Sequence, residues 1–177
     1  MNIRKTAKRD RIEVAGIYRT AWQGTEGIAR RPHEITETYI FSLLNKIENQ
    51  IVSLVAENDN GEIIGVIHAL KDGLEGHDHI LSDLTIVVHP EYQKQGLAKA
   101  LGWAFLQHVA EDRSDVLRVE MHSPDNLSRV KAFEAAGFIV EGTHKKRFRN
   151  IDGSFQDIVL MVWINPSFNP EMKPKIR

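Results

Sequence analysis

The chain has 177 residues, 42% of them hydrophobic and 27% charged, with a formal net charge of −1 and no cysteine. That length and mix predict one soluble globular domain with a core of its own, and so small a net charge offers no footing for nucleic acid or an anionic membrane. The lack of cysteine excludes disulfides, thiolate nucleophiles and cysteine-ligated zinc; with no apolar run of spanning length and an N-terminus (Met1-Asn2-Ile3-Arg4-Lys5) too polar for a signal peptide, a cytoplasmic location is expected.

In chain order, residues 3–8 alternate as a short first strand. Asp10 is a candidate cap for a following helix whose apolar face is Val14, Ile17, Tyr18, Ala21 and Trp22. A polar loop over 23–33 precedes a second helix expected at 34–49, with Ile40, Leu43, Leu44 and Ile47 inward. Residues 51–57 and 62–70 read as a hairpin around Asn58-Asp59-Asn60-Gly61, whose Asn-Gly end suits positive φ. Residues 71–79 form a loop. Leu84-Thr85-Ile86-Val87-Val88 is a β-branched run ended by His89-Pro90, and Leu97, Leu101, Phe105 and Val109 mark one face of a helix from 96 to about 110. Residues 116–122 alternate as a strand with Leu117, Val119 and Met121 on one side and Arg118, Glu120 and His122 on the other. Pro124-Asp125-Asn126 opens a helix that ends at Ala136, with Gly137 as its C-terminal cap and Phe138 packed behind. Two strands, 138–149 and 155–164, follow. The tail, 165–177, has three prolines and no apolar period, so it is expected to be extended or disordered.

The join between the β-branched strand and the helix, Gln93-Lys94-Gln95-Gly96-Leu97-Ala98, is the most informative stretch. A glycine-containing turn into a helix start leaves backbone N–H groups unpaired at the positive end of the helix dipole, a ready anion site. It lacks both G-x-x-x-x-G-K-[ST] and G-x-G-x-x-G, which sets aside the nucleotide-triphosphate and dinucleotide loops.

What remains is Gln-x-x-Gly-x-Ala after Val88, Pro90, Tyr92 and Gln93, and it resembles motif A of the GNAT N-acetyltransferase superfamily. A second stretch, Asn126-Leu127-Ser128-Arg129-Val130-Lys131-Ala132-Phe133-Glu134-Ala135-Ala136-Gly137-Phe138, resembles the family's motif B, and the pattern is closest to bacterial small-molecule and peptide N-acetyltransferases. The order β-α-α-β-β-β-α-β-α-β-β is similar to that fold over about residues 2–164. It predicts an α/β (α+β) single domain, a mixed, mostly antiparallel sheet of about seven strands flanked by about four helices, with the domain at 1–164 and the tail at 165–177.

The resemblance implies acetyl-CoA as co-substrate, no metal, and an amine acceptor: a small molecule, an amino acid or a peptide or protein N-terminus. It assigns cofactor contacts to Val87, Val88, Gln93, Lys94, Gln95, Gly96, Leu97, Ala98, Asn126 and Phe133, with the N–H of Val88 aimed at the thioester oxygen. It places the acceptor pocket beside Trp22, Glu26, Arg30 and Arg31. An alkyl amine has a pKa of about 10, so a base helps; Asp83 and Glu120 flank the cleft and are the candidates. Many relatives place a tyrosine, as proton donor to the departing thiolate, where this chain has Phe133, which leaves the general acid unassigned. Tyr92 is expected to pack. A catalytically silent acyl-CoA-binding module is the alternative reading, and a homodimer stays open. His77-Asp78-His79 lacks a third ligand motif and reads as a solvated loop rather than a metal site. The basic run 145–149 reads as an edge strand protected against aggregation, with recognition of an acidic acceptor as the alternative.

Overall fold

The computed structural model describes residues 1–21, 32–45 and 51–172, the side chains of residues 32, 44 and 45 excepted. Eleven main elements follow the expected order: β1 (Asn2–Lys5), α1 (Arg11–Ala21), α2 (Glu37–Asn45), β2 (Ile51–Glu57), β3 (Ile63–Leu70), β4 (Ile80–Val88), α3 (Leu97–Asp112), β5 (Arg118–Pro124), α4 (Leu127–Glu134), β6 (Ile139–Arg149) and β7 (Phe155–Ile164). They build one seven-stranded sheet in the order β1-β2-β3-β4-β5-β7-β6. All neighbours are antiparallel except β4 and β5, which α3 joins as a crossover.

Helices cover both faces of the sheet. Val14, Ile17, Tyr18 and Ala21 of α1 pack with Ile40 of α2 on Val55, Val66 and Val87. On the other face Leu97, Leu101, Phe105 and Val109 of α3 pack on Leu54, Ile67, Leu81, Val88, Val119 and Met121. Close approach of α3 to β3 depends on Gly65, where an added Cβ would meet Leu101 Cδ1 at 3.0 Å. No helix among the described residues is long and apolar enough to cross a membrane.

Three local expectations are refined. Asp10 does not cap α1 from in front: it closes a 3₁₀ turn (Lys8–Asp10), accepting the Ala7 N–H at 2.7 Å and the Arg4 guanidinium at 2.7 Å, while Arg4 also donates to Glu57 at 2.7 Å. A buried carboxylate gains more from a guanidinium partner than from a helix end. Helix α2 begins at Glu37, after a separate 3₁₀ turn (Pro32–Glu34), and is described to Asn45, so Ile47 lies outside the described residues. The stretch expected to trail off begins with an anchor: Asn165 is buried, its N–H donates to the Leu117 carbonyl at 2.8 Å and its side-chain amide to the Val116 carbonyl at 2.9 Å. The Asn169 N–H then reaches the Ser114 carbonyl at 2.9 Å.

Candidate active site

Strand β4 starts earlier than its β-branched run suggests, and this shapes the site. Ile80 and Leu81 pair with Arg118 and Val119 of β5; beyond them the two strands share no pairing, although β4 runs on to Val88 and β5 to Pro124. The cause lies on the opposite edge of β4. Leu70 pairs with Ser82 and His68 with Thr85, so Asp83 and Leu84 together face the single residue Ala69. That bulge puts Asp83 at φ 56, a left-handed conformation that aspartate tolerates better than most residues. An extra residue on one edge bends β4 away from β5 and opens a wedge-shaped gap.

The alternation of the β3–β4 ladder decides which backbone groups face the gap. The His89 N–H donates to the Ile64 carbonyl at 2.9 Å, which makes that pair a hydrogen-bonded one. Two residues back, the N–H and carbonyl of Val87 are therefore turned to Val66 of β3, and those of Val88 and Ile86 are turned to the gap. Of the expected pair Val87 and Val88, only Val88 presents its backbone there, and Ile86, which the sequence reading missed, joins it. Spacing supplied the signal: residues two apart on a strand edge point the same way.

At the end of β4 a 3₁₀ turn (Pro90–Tyr92) leads into the expected anion turn. The Gln93 amide donates to the Val88 carbonyl at 3.1 Å and the Gln95 amide to the Glu91 carbonyl at 2.7 Å, so both side chains brace the turn itself. Lys94 and Gly96 both take positive φ, 59 and 84, and Gly96 is the residue just before α3. The first bond of the helix runs from the Ala100 N–H to the Gly96 carbonyl, which leaves the N–H groups of Leu97, Ala98 and Lys99 without helical partners. A Cβ added at Gly96 would meet nothing within 4 Å, so the space beside the turn at this residue is open. Leu97 turns its side chain into the core, so it offers the site only its backbone. Tyr92 packs as expected: its ring lies edge-on to His89, and its hydroxyl accepts from Asn58 at 3.2 Å.

Across the gap, Asn126 sits just before α4. Its side-chain oxygen accepts from the N–H groups of Ser128 and Arg129 at 3.1 and 3.3 Å, leaving its NH₂ as the group free to reach a ligand. Phe133 is half-buried and stands edge-on to Phe138 with ring centroids 5.7 Å apart. The carboxylates occupy different settings. Glu120 lies 2.9 Å from Arg118 Nε and accepts from the Ser82 hydroxyl at 3.5 Å, and Arg118 also donates to Glu141 at 2.7 Å. Asp83 is 70% exposed, with the His122 Nδ1 3.8 Å from its Oδ1. Trp22, Glu26, Arg30 and Arg31 lie outside the described residues.

A parallel pair forced apart by a bulge, with free strand edges leading into an open helix start, suits an extended ligand that ends in phosphate. Residues 23–153 match the family described as Acetyltransferase (GNAT) domain, about three quarters of the chain. The chain belongs to the GNAT acetyltransferase family. It is therefore an N-acetyltransferase with acetyl-CoA as its co-substrate, and the gap and the Gly96 turn fit that molecule. Solved structures share the fold. The Salmonella typhimurium protein yncA, determined with its cofactor acetyl-CoA, superposes with a TM-score of 0.80 at 19% identity, covering 100% of this chain and 99% of that one. A ribosomal-protein-alanine N-acetyltransferase from Brucella melitensis gives 0.79 at 21% identity over 93% and 99%. A GNAT-family acetyltransferase from Streptococcus pneumoniae gives 0.79 at 23% over 92% and 98%. No curated protein sequence matches the chain at a significant level.

Other features fall outside the site. His77 is paired with Asp72 at 2.6 Å, and among the described residues no group of three histidines or carboxylates gathers as a metal site. The basic run lies on β6, the sheet edge, where residues 145–147 bulge around Asp157: Lys145 reaches its carboxylate at 2.8 Å and the Lys146 N–H at 2.7 Å. These contacts hold the Asp157 carboxyl below its ordinary range.

Proposed function

We propose that the protein acetylates a primary amine, on a small molecule, an amino acid or a peptide or protein N-terminus, by direct attack of the amine on the thioester of acetyl-CoA. The observation that carries this reading is the parting of β4 from β5 beyond Leu81, with the open turn at Gly96 following the end of β4. Backbone donors of Leu97, Ala98 and Lys99 hold the pyrophosphate, with Lys94 and the braced Gln93 and Gln95 shaping the turn. Ile86 and Val88 offer strand-edge groups to the pantetheine arm and an N–H to the thioester oxygen, the position where negative charge develops in the transition state. Asn126 and Phe133 border the arm from α4. Asp83 and Glu120 are the carboxylates beside the reacting centre. Asp83 is the less encumbered of the two, because Arg118 and Ser82 already engage Glu120. Trp22, Glu26, Arg30 and Arg31 complete the acceptor side in this reading.

Two measurements test it. Acetyl-CoA that binds the folded chain must raise its melting temperature. Release of free thiol should then be followed across a panel of spermidine, free amino acids and a peptide beginning with alanine. An unchanged melting temperature would sink the assignment. Phe133, which has no hydroxyl to donate, favours a second reading, a silent acyl-CoA-binding module; stabilisation by acetyl-CoA with no thiol release from any amine across a range of pH selects it.

A further inference from the structure

Beyond the two carboxylates, one imidazole, that of His122, stands beside the gap, and a second, His144 from across β7, lies next to it. His122 lies on β5, three residues past the last β4–β5 pair, Leu81 with Val119. On β4 the bulge adds a residue, so three steps along β5 stand level with Thr85 and within one residue of Ile86, whose backbone faces the gap. Alternation places Val119 and Met121 in the core under α3 and turns Glu120 and His122 to the face that α1 and α2 cover. His122 is 40% exposed. The charged and titratable groups around it come from three strands: Asp83 on β4, Arg118 and Glu120 on β5, and His144 on β6, whose ring centroid is 5.9 Å from that of His122.

We infer that His122 is the group that takes the proton from the attacking amine, with Asp83 as its positioning partner and His144 as the exit toward solvent. The inference rests on the acetyl-transfer reading above. The Asp83 carboxylate faces Nδ1, which leaves Nε2 as the nitrogen free to accept a proton and puts a negative charge beside the imidazolium that forms. His122 removes one proton from the ammonium of the acceptor. The neutral nitrogen forms its bond to the acetyl carbon, the carbon–sulfur bond breaks with its electron pair on sulfur, and the second proton lost by nitrogen neutralises the thiolate. The proton on His122 passes to His144, which is exposed, and then to water. This arrangement gives the bulge at Asp83 a second use: the distortion that opens the gap also delivers the carboxylate to the imidazole.

Steady-state turnover of the full chain, with the fastest amine of the panel, tests the assignment. His122→Gln is expected to lower kcat about 100-fold, the usual worth of a positioned base, while the melting-temperature rise on adding acetyl-CoA stays as in the wild type. His122→Ala should fall equally and recover as free imidazole is added, a rescue that a purely structural role would not allow. Turnover within about threefold of the wild type in both variants overturns the assignment, as does a loss that imidazole leaves untouched. Wild-type protein that acetyl-CoA fails to stabilise overturns the transfer reading itself, whereas normal binding with normal turnover in the variants overturns His122 alone.

Discussion

Asp83 and Glu120 stand on opposite walls of the same gap, and their neighbours separate their roles. Glu120 sits beside Arg118, itself shared with Glu141, while Asp83 is open to solvent and faces His122. Asp83→Asn is accordingly expected to lower kcat about tenfold through His122, and Glu120→Gln to leave kcat within about threefold while costing about 1 kcal/mol in denaturant unfolding. Full activity in both variants at neutral pH would remove both carboxylates from the mechanism. Residue identity made these two acids visible in the sequence, since both flank the strands that border the site. Their partners were hidden, because Arg118, Ser82, His122 and His144 come together only across neighbouring strands.

Among the elements, those read most securely are the ones whose signals are local. Helix α4 ends as its sequence implies: Gly137 takes φ 93, its N–H donates to the Glu134 carbonyl at 2.9 Å, and the Phe138 N–H reaches back to Phe133 at 3.0 Å. The phosphate turn is legible for the same reason, since glycine at a left-handed position before a helix is a local requirement. Gly96→Trp should abolish acetyl-CoA binding, measured by calorimetry, because the indole would fill the open space before the helix start. Its cost in stability should stay near that of forcing a side chain to positive φ, about 1–2 kcal/mol, since no atom of the fold meets the added Cβ. Unchanged affinity in that variant would remove the turn from the cofactor site. Strand β4 was harder to read: its first residues, Ile80 to Ser82, carry no β-branched run beyond Ile80 and owe their place to pairing with β3 and β5.

For the molecule as a whole, burial sets a pH dependence. His68 on β3 is buried against Tyr18 of α1, whose hydroxyl lies 3.0 Å from Nδ1, and burial pushes its imidazole down from 6.5 to about 4. The unfolded chain therefore takes up a proton between pH 6.5 and 4 that the folded chain refuses, so stability falls as pH falls through that window and is unaffected above it. The full loss amounts to about 3 kcal/mol at 1.36 kcal/mol per pH unit. Urea unfolding of His68→Gln should show a drop between pH 7 and pH 4 that is smaller than the wild type's by about that amount; parallel pH dependence would contradict the assignment.

The element order, the turn chemistry and two motifs are legible in the amino-acid sequence, and through them the acetyltransferase family and its acetyl donor. Each of these depends on residues near one another in the chain, where propensity, capping and glycine's freedom act directly. Tertiary pairing makes β4 bulge at Asp83 and leave β5 after Leu81, turns the backbone of Ile86 and Val88 rather than Val87 to the gap, and brings His122 to Asp83 and to His144. Pairing register accounts for the difference. One extra residue against Ala69 changes which groups face the ligand, and that offset is set by packing between distant strands, which leaves no local mark in the chain.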